Sequence, residues 1–211
     1  MISHLFQSNP PISSFQPLDL SKNNTLLTKE IYQDLAQFSA FIQESLGDKK
    51  WGMGGYLEDR AIYEVYDNFE TSVQDYRSIH LGIDIWAEAG TRVLCPLDGI
   101  IHSFQVNAGL GNYGPTIILE HDGLGEKCFS LYGHLAIADL EGLFPGQKIL
   151  AGQVLAHLGT SAENGSWPPH LHFQWIRDLQ GNVGDYPGVC SARDLAFYAH
   201  NCPDPMSIKL D

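Results

Sequence analysis

A chain of 211 residues, 44% of them hydrophobic, can bury a sizeable core and fits one domain with extensions. Twelve Lys+Arg against 25 Asp+Glu give a formal charge of −13, and no basic cluster occurs; this argues against nucleic acid and anionic membrane surfaces as partners. No apolar run reaches the ~18 residues of a membrane-spanning helix.

The N-terminus, Met1-Ile2-Ser3-His4-Leu5-Phe6, lacks the basic start and long apolar stretch of a secretory signal. The expected location is cytoplasmic, or periplasmic or secreted if a signal has been trimmed. Residues 1 to 24 are rich in Ser, Pro, Asn and Gln and read as an extended, at most partly ordered arm. Ile31, Leu35, Phe38, Ile42 and Leu46 then recur at helical spacing, with Thr28 as N-cap and Gly47 just past the C-terminus. This apolar stripe predicts a helix packed on the main domain.

From Trp51 onward, Gly and Pro punctuate short apolar runs. Thr91 to Leu94, Gly99 to Gln105, Thr116 to His121, Cys128 to Tyr132, Val154 to Leu158 and Leu171 to Ile176 read as strands. Turn-formers separate them, among them Pro96-Leu97-Asp98-Gly99, Asp122-Gly123-Leu124-Gly125 and Pro145-Gly146. Most of these strands have no helical pattern between them, which predicts antiparallel pairing. In the tail, Ala192 to Ala199 suits a short helix ended by Pro203-Asp204-Pro205. The expected organisation is an arm and amphipathic helix over 1–50, a main domain over 51–178 and a tail packed on it over 179–211. The fold class is mainly β, a compact antiparallel sheet with an N-terminal helix. No Cys-x-x-Cys occurs. Cys95 and Cys128 read as buried thiols, while Cys190 and Cys202 could pair in an oxidising compartment.

The chemistry concentrates in three motifs. His170-Leu171-His172 opens a strand, so both imidazoles leave one face side by side. His80-Leu81-Gly82-Ile83-Asp84 supplies an imidazole and a carboxylate, and Tyr132-Gly133-His134-Leu135 another imidazole. Alone, His80 with Asp84 would be a surface or capping contact and His134 a strand-end histidine. Jointly they suit a hydrolytic zinc site, which needs three protein ligands and an open position. His80, Asp84 and one histidine of the pair would hold the ion, and the other would face the open position.

The order HxxxD, YxHL, HLHF resembles the lysostaphin/LytM-type peptidases, the M23 metallopeptidases of peptidoglycan. Ala89-Gly90-Thr91, Pro145-Gly146-Gln147, Ala151-Gly152-Gln153 and Pro169-His170-Leu171-His172-Phe173 extend the likeness over about residues 78 to 177. The resemblance implies one Zn2+ per chain held by His80, Asp84 and His172. It assigns His134 and His170 as the two catalytic histidines, and a peptide or peptidoglycan-like substrate. It implies hydrolysis of an amide bond by metal-activated water. No HExxH glutamate is present, so histidine must carry the proton.

The chain departs from that family at Gln174, where Glu is common, at Gly111-Asn112-Tyr113-Gly114-Pro115, and in the turn Gly159 to Pro169. Asn164-Gly165-Ser166-Trp167-Pro168-Pro169 with Asp185-Tyr186-Pro187-Gly188 also resembles the metallopeptidase domain of proteins carrying a phosphotransferase-like kinase and a class III aminotransferase; Gly55-Tyr56-Leu57-Glu58-Asp59-Arg60 fits the same pattern. That likeness implies a small cytosolic amide or peptide as substrate. A non-catalytic regulator of cell-wall hydrolases is the other reading. Trp167 is expected either to wall a substrate groove or simply to pack. His4, His102, His121, His157 and His200 are expected to be structural or exposed.

Overall fold

The computed structural model describes residues 1–7, 9–66, 69–72, 75–122 and 127–208. Fourteen strands are present among them: β1 (Phe15–Leu18), β2 (Trp51–Gly54), β3 (Glu70–Ser72), β4 (Asp75–Tyr76), β5 (Ile79–His80), β6 (Ile83–Trp86) and β7 (Arg92–Leu94) in the first half. The second half holds β8 (Gly99–Asn107), β9 (Gly114–His121), β10 (Cys128–Gly133), β11 (Lys148–Ile149), β12 (Val154–His157), β13 (His170–Ile176) and β14 (Val189–Cys190). The helices are α1 (Lys29–Gln33), α2 (Leu35–Leu46) and α3 (Leu195–Asn201).

An eight-stranded sheet in the order β1-β2-β6-β13-β10-β9-β8-β11 forms the frame, with β12-β7, β14-β5 and β3-β4 as satellite pairs. The fold is mainly β, and the predicted strands all form. Of the predicted turns, Gly123-Leu124-Gly125 lies outside the described residues. The frame is antiparallel except at one edge, where β1 runs parallel to β2. The exception follows from the connection: α1 and α2 lie between these strands and return the chain to the same end.

Alternation decides what each face carries. On β13, Leu171, Phe173 and Trp175 enter the main core, where they join Ile83 and Ile85 of β6 and Val93 of β7. His170, His172 and Gln174 therefore point the other way. Register then sets their neighbours: His172 lies opposite Asp84 and His170 opposite Trp86 on β6, with Gly133 of β10 across from His172 on the other side. Both faces of β13 are covered, so the whole strand is buried.

The N-terminal segment departs from the expected loose arm. Ile2, Leu5 and Phe6 are at most 1% exposed and belong to the main core, and Phe15 starts a paired strand. Phe6 lies 4.4 Å from the Trp51 ring. The polar composition concealed three large apolar side chains whose burial outweighs the cost of ordering the segment. The predicted helix is interrupted at Asp34, whose side chain accepts from the Gln37 backbone N–H at 2.9 Å and starts α2 afresh. Phe38, Ile42 and Leu46 are buried, whereas Leu35 is exposed. The four cysteines are free and buried. No helix among the described residues is long and apolar enough to cross a membrane.

Candidate metal centre and active site

His80 ends β5, and the turn Leu81-Gly82 leads straight into β6, where Asp84 sits. Gly82 is required by close approach: a Cβ there would lie 2.7 Å from the Phe173 carbonyl oxygen and 2.8 Å from the His172 ring. The bare backbone lets His172 lie against the turn that carries the other two residues. His80 Nε2 is 2.9 Å from His172 Nδ1, and Asp84 Oδ1 is 3.2 Å from each of these nitrogens. All three residues are at most 3% exposed.

Hydrogen bonds at the far side of each ring decide where the lone pairs point. His80 Nδ1 donates to Gly55 O at 3.0 Å, which leaves Nε2 unprotonated. Gln174 donates its amide to Pro187 O at 3.1 Å, so its Oε1 faces His172 Nε2 at 3.0 Å and accepts that N–H. His172 Nδ1 then carries a lone pair as well. Burial, with Arg60 nearby, pushes His80 down to about 4, so no extra proton resides there at neutral pH. Two nitrogen lone pairs and a carboxylate oxygen thus converge with no proton between them. Bonds of about 2.0–2.1 Å to a tetrahedral zinc would place its ligand atoms ~3.3–3.4 Å apart. The observed spacing and donor set fit that ion with little adjustment.

Asp84 is shared. Its Oδ1 faces the histidines and its Oδ2 accepts from Arg60 Nη1 at 2.5 Å. Arg60 Nε reaches Glu58 at 2.6 Å, and Nη1 also reaches the Tyr63 hydroxyl at 3.2 Å. Burial opposes the carboxylate charge, but His80 and Arg60 beside it hold Asp84 well below the usual range. A buried arginine thus keeps the carboxylate ionised. The motif Gly55 to Arg60 contains this arginine without marking the role; an arginine that follows Glu58-Asp59 and leads into the apolar Ala61-Ile62 was the available signal.

His134 and His170 join the same cavity from two directions. Their rings are 4.1 Å apart, and His170 Nε2 is 3.8 Å from Asp84 Oδ1. His134 Nδ1 donates to Asn164 O and His170 Nδ1 to Pro168 O, each at 2.8 Å, so both Nε2 atoms carry free lone pairs. Burial lowers His170 to about 4, and burial with the neighbouring histidines holds His134 well below its ordinary value. His134 has φ 64°, a left-handed conformation uncommon for a side chain of this size. Backbone bonds fix it there: its N–H donates to Tyr113 O at 2.8 Å and its carbonyl accepts from Gly159. The turn supplying Asn164 and Pro168 depends on Gly165, with φ 87° and a would-be Cβ 2.0 Å from Asn112 O.

All five expected site residues therefore line one cavity of about 270 Å³. Trp167 lines it too, donating its indole N–H to Asn112 O at 3.3 Å. Tyr113, in the Gly111–Pro115 loop where the sequence departs from the family, brings its hydroxyl 3.4 Å from His172 Nε2. Missed by sequence reasoning as cavity residues were Leu20 and Phe38 from the N-terminal segment, because they reach the cavity only through tertiary packing. Of the remaining histidines, His121 is buried against Ser130 at 2.7 Å and His157 contacts Asp139 at 3.0 Å.

Several solved structures are similar to part of this chain. The catalytic domain of a variant of the prophage-encoded M23 protein EnpA from Enterococcus faecalis is 22% identical, over 55% of this chain and 81% of its own, with a TM-score of 0.40. The lysostaphin catalytic domain from Staphylococcus simulans is 24% identical, over 57% and 80%, with a TM-score of 0.38. A zinc-containing peptidase from Vibrio cholerae is 26% identical over 46% of this chain but only 27% of its own, with a TM-score of 0.38. No curated protein sequence matches the chain. The profile of Peptidase family M23 matches residues 78–183, half of the chain, a stretch that holds the three histidine motifs whose side chains meet in the cavity, and on that match the chain belongs to peptidase family M23.

Proposed function

We propose that the protein is a zinc-dependent peptidase in which His80, Asp84 and His172 hold the ion and His134 and His170 move the proton. The observation that carries this reading is the convergence of three unprotonated donor atoms whose tautomers are set by Gly55 and Gln174. Zinc at such a position acts as a Lewis acid and brings the pKa of water toward ~7. The chain's own residues supply the rest. His134 and His170 are buried and neutral at pH 7, so either Nε2 can take a proton from the attacking water. The protonated ring is then the acid that delivers it to the leaving amine. Trp86 stacks on His170 at 4.1 Å and limits how that ring can turn. The bond cleaved is a peptide amide, of a peptidoglycan cross-link or a related peptide. Residues 51–178 form the peptidase core in this reading, and the flanks 1–50 and 179–211 contribute walls to its cavity.

The test combines metal content with product analysis. Purified protein should hold about one zinc per chain, and mass spectrometry of a muropeptide and peptide library should show chelator-sensitive cleavage. His172→Ala should lose both metal and activity. His134→Ala and His170→Ala should keep the metal and lose turnover. Undiminished cleavage by metal-free His172→Ala protein would overturn the proposal.

A further inference from the structure

The cavity beside the candidate zinc ligands has a second, apolar half. Leu20, Phe38, Ile62, Tyr63 and Trp167 are all buried, line the cavity and form one contiguous cluster with Trp86. This half is stitched together by ring contacts. Phe38 meets Trp86 edge-on at 5.9 Å, and Tyr63 meets Trp167 at 6.3 Å. It also touches the proposed proton-carrying groups directly. Trp86 stacks on His170, and Trp167 lies 6.4 Å, edge-on, from both His134 and His170. Leu20, Phe38, Ile62 and Tyr63 lie outside residues 78–183, the segment matched by the family, whereas Trp86 and Trp167 lie within it.

Size and chemistry narrow the occupant. An apolar cavity of ~150 Å³ suffices to bind benzene. The space here is about 270 Å³, lined by the histidine cluster and these apolar and aromatic side chains, with Arg60, Arg77, Asn182 and Asp185 also at its walls. That admits one ring or large branched side chain together with the amide next to it. Glycine or alanine would leave the aromatic walls without contacts, and lost contact with an apolar pocket lowers affinity in proportion to the area left bare.

We propose that this half of the cavity is a side-chain pocket, which selects a peptide or amide bearing an aromatic or large branched apolar residue beside the bond that is cleaved. The pocket's place in catalysis rests on the reading given under Proposed function; its preference among side chains can be measured without it. The decisive experiment is calorimetric titration of the chelator-treated full chain with N-acetyl-phenylalaninamide and N-acetyl-glycinamide. The phenylalanine ligand should bind at least about tenfold more tightly, the scale on which apolar pockets discriminate. Ile62→Phe, which fills the pocket, and Phe38→Leu, which reshapes its wall, should each reduce that ratio at least about fivefold. A folding defect lowers affinity for both ligands alike, so the ratio reports the pocket itself. A smaller preference in the wild-type chain, or a ratio unchanged in both variants, overturns the proposal. Intact preference with no cleavage of any amide by the zinc-loaded protein would sink the catalytic reading and leave the pocket standing.

Discussion

Gln174 Oε1 accepts the Nε2 proton of His172 at 3.0 Å, while the same amide donates to Pro187 O at 3.1 Å and to Cys202 Sγ at 3.2 Å. The two donor bonds set which way the amide faces, and that in turn sets which nitrogen of His172 is left free. A glutamine thus does the orienting work that a carboxylate commonly does behind a ligating histidine. Replacing it with an apolar side chain should leave His172 Nε2–H only the more distant Tyr113 hydroxyl, at 3.4 Å, as an acceptor. Gln174→Leu is expected to weaken zinc binding by about 10–100-fold, read by competition with a chromogenic chelator. Unchanged affinity would show that the tautomer is held by something else.

Arg60 is almost fully buried and spans two carboxylates, Asp84 and Glu58. Arg60→Met should cost about 3–5 kcal/mol in urea unfolding, because it strands buried charge. Arg60→Lys should recover little of this, since an ammonium cannot reach both partners through two separate nitrogens. A methionine variant as stable as the parent would contradict the ion-pair account.

Acid should destabilise the metal-free protein earlier than acid denaturation of carboxylates alone would. Burial pushes His80 and His170 from 6.5 down to about 4, and it lowers His134 and His121 as well. The unfolded chain therefore takes up protons before the native chain does. Stability from these groups is complete above pH 6.5 and is lost as pH falls toward 4. Asp84 acts only below this window, because its value is depressed below 3.8. Chelator-treated protein should lose on the order of several kcal/mol between pH 7 and pH 5. Equal urea midpoints at the two pH values would refute the prediction.

Phe6 is fully buried and touches Trp51 and Phe15. Phe6→Ala should cost about 3–5 kcal/mol, the range for truncating a core aromatic. A loosely attached arm would show almost no change.

Zinc should stabilise the fold by mass action if the three donors hold it. At a thousandfold excess over its dissociation constant the gain is about 4 kcal/mol, visible as a raised Tm. His172→Ala should abolish the shift, while His134→Ala should retain it. A shift of equal size in the His172→Ala variant would remove this residue from the ligand set.

The strand pattern from Trp51 onward was legible because period-two alternation and Gly/Pro punctuation are local signals. The meeting of His80, Asp84, His134, His170 and His172 was legible because side chains two apart on a strand must share a face, and because the spacing of the motifs matched a family. The break at Asp34 was less so, since the apolar stripe continues across it and only the cap on Gln37 marks a new start. Residues 1 to 24 were misjudged because average polarity masks a few large apolar side chains at the right places. What the linear order could not show is anything that depends on distant segments coming together. The lone-pair directions in the site are set by Gly55 O and the Gln174 amide, the charge on Asp84 by Arg60, and the apolar wall by Leu20 and Phe38. Local chemistry in this protein thus determines which groups are present and on which face they stand. Only packing across the sheet decides how they are protonated, how deeply they are buried and what can lie against them, because hydrogen bonding, desolvation and cavity shape are properties of the whole fold.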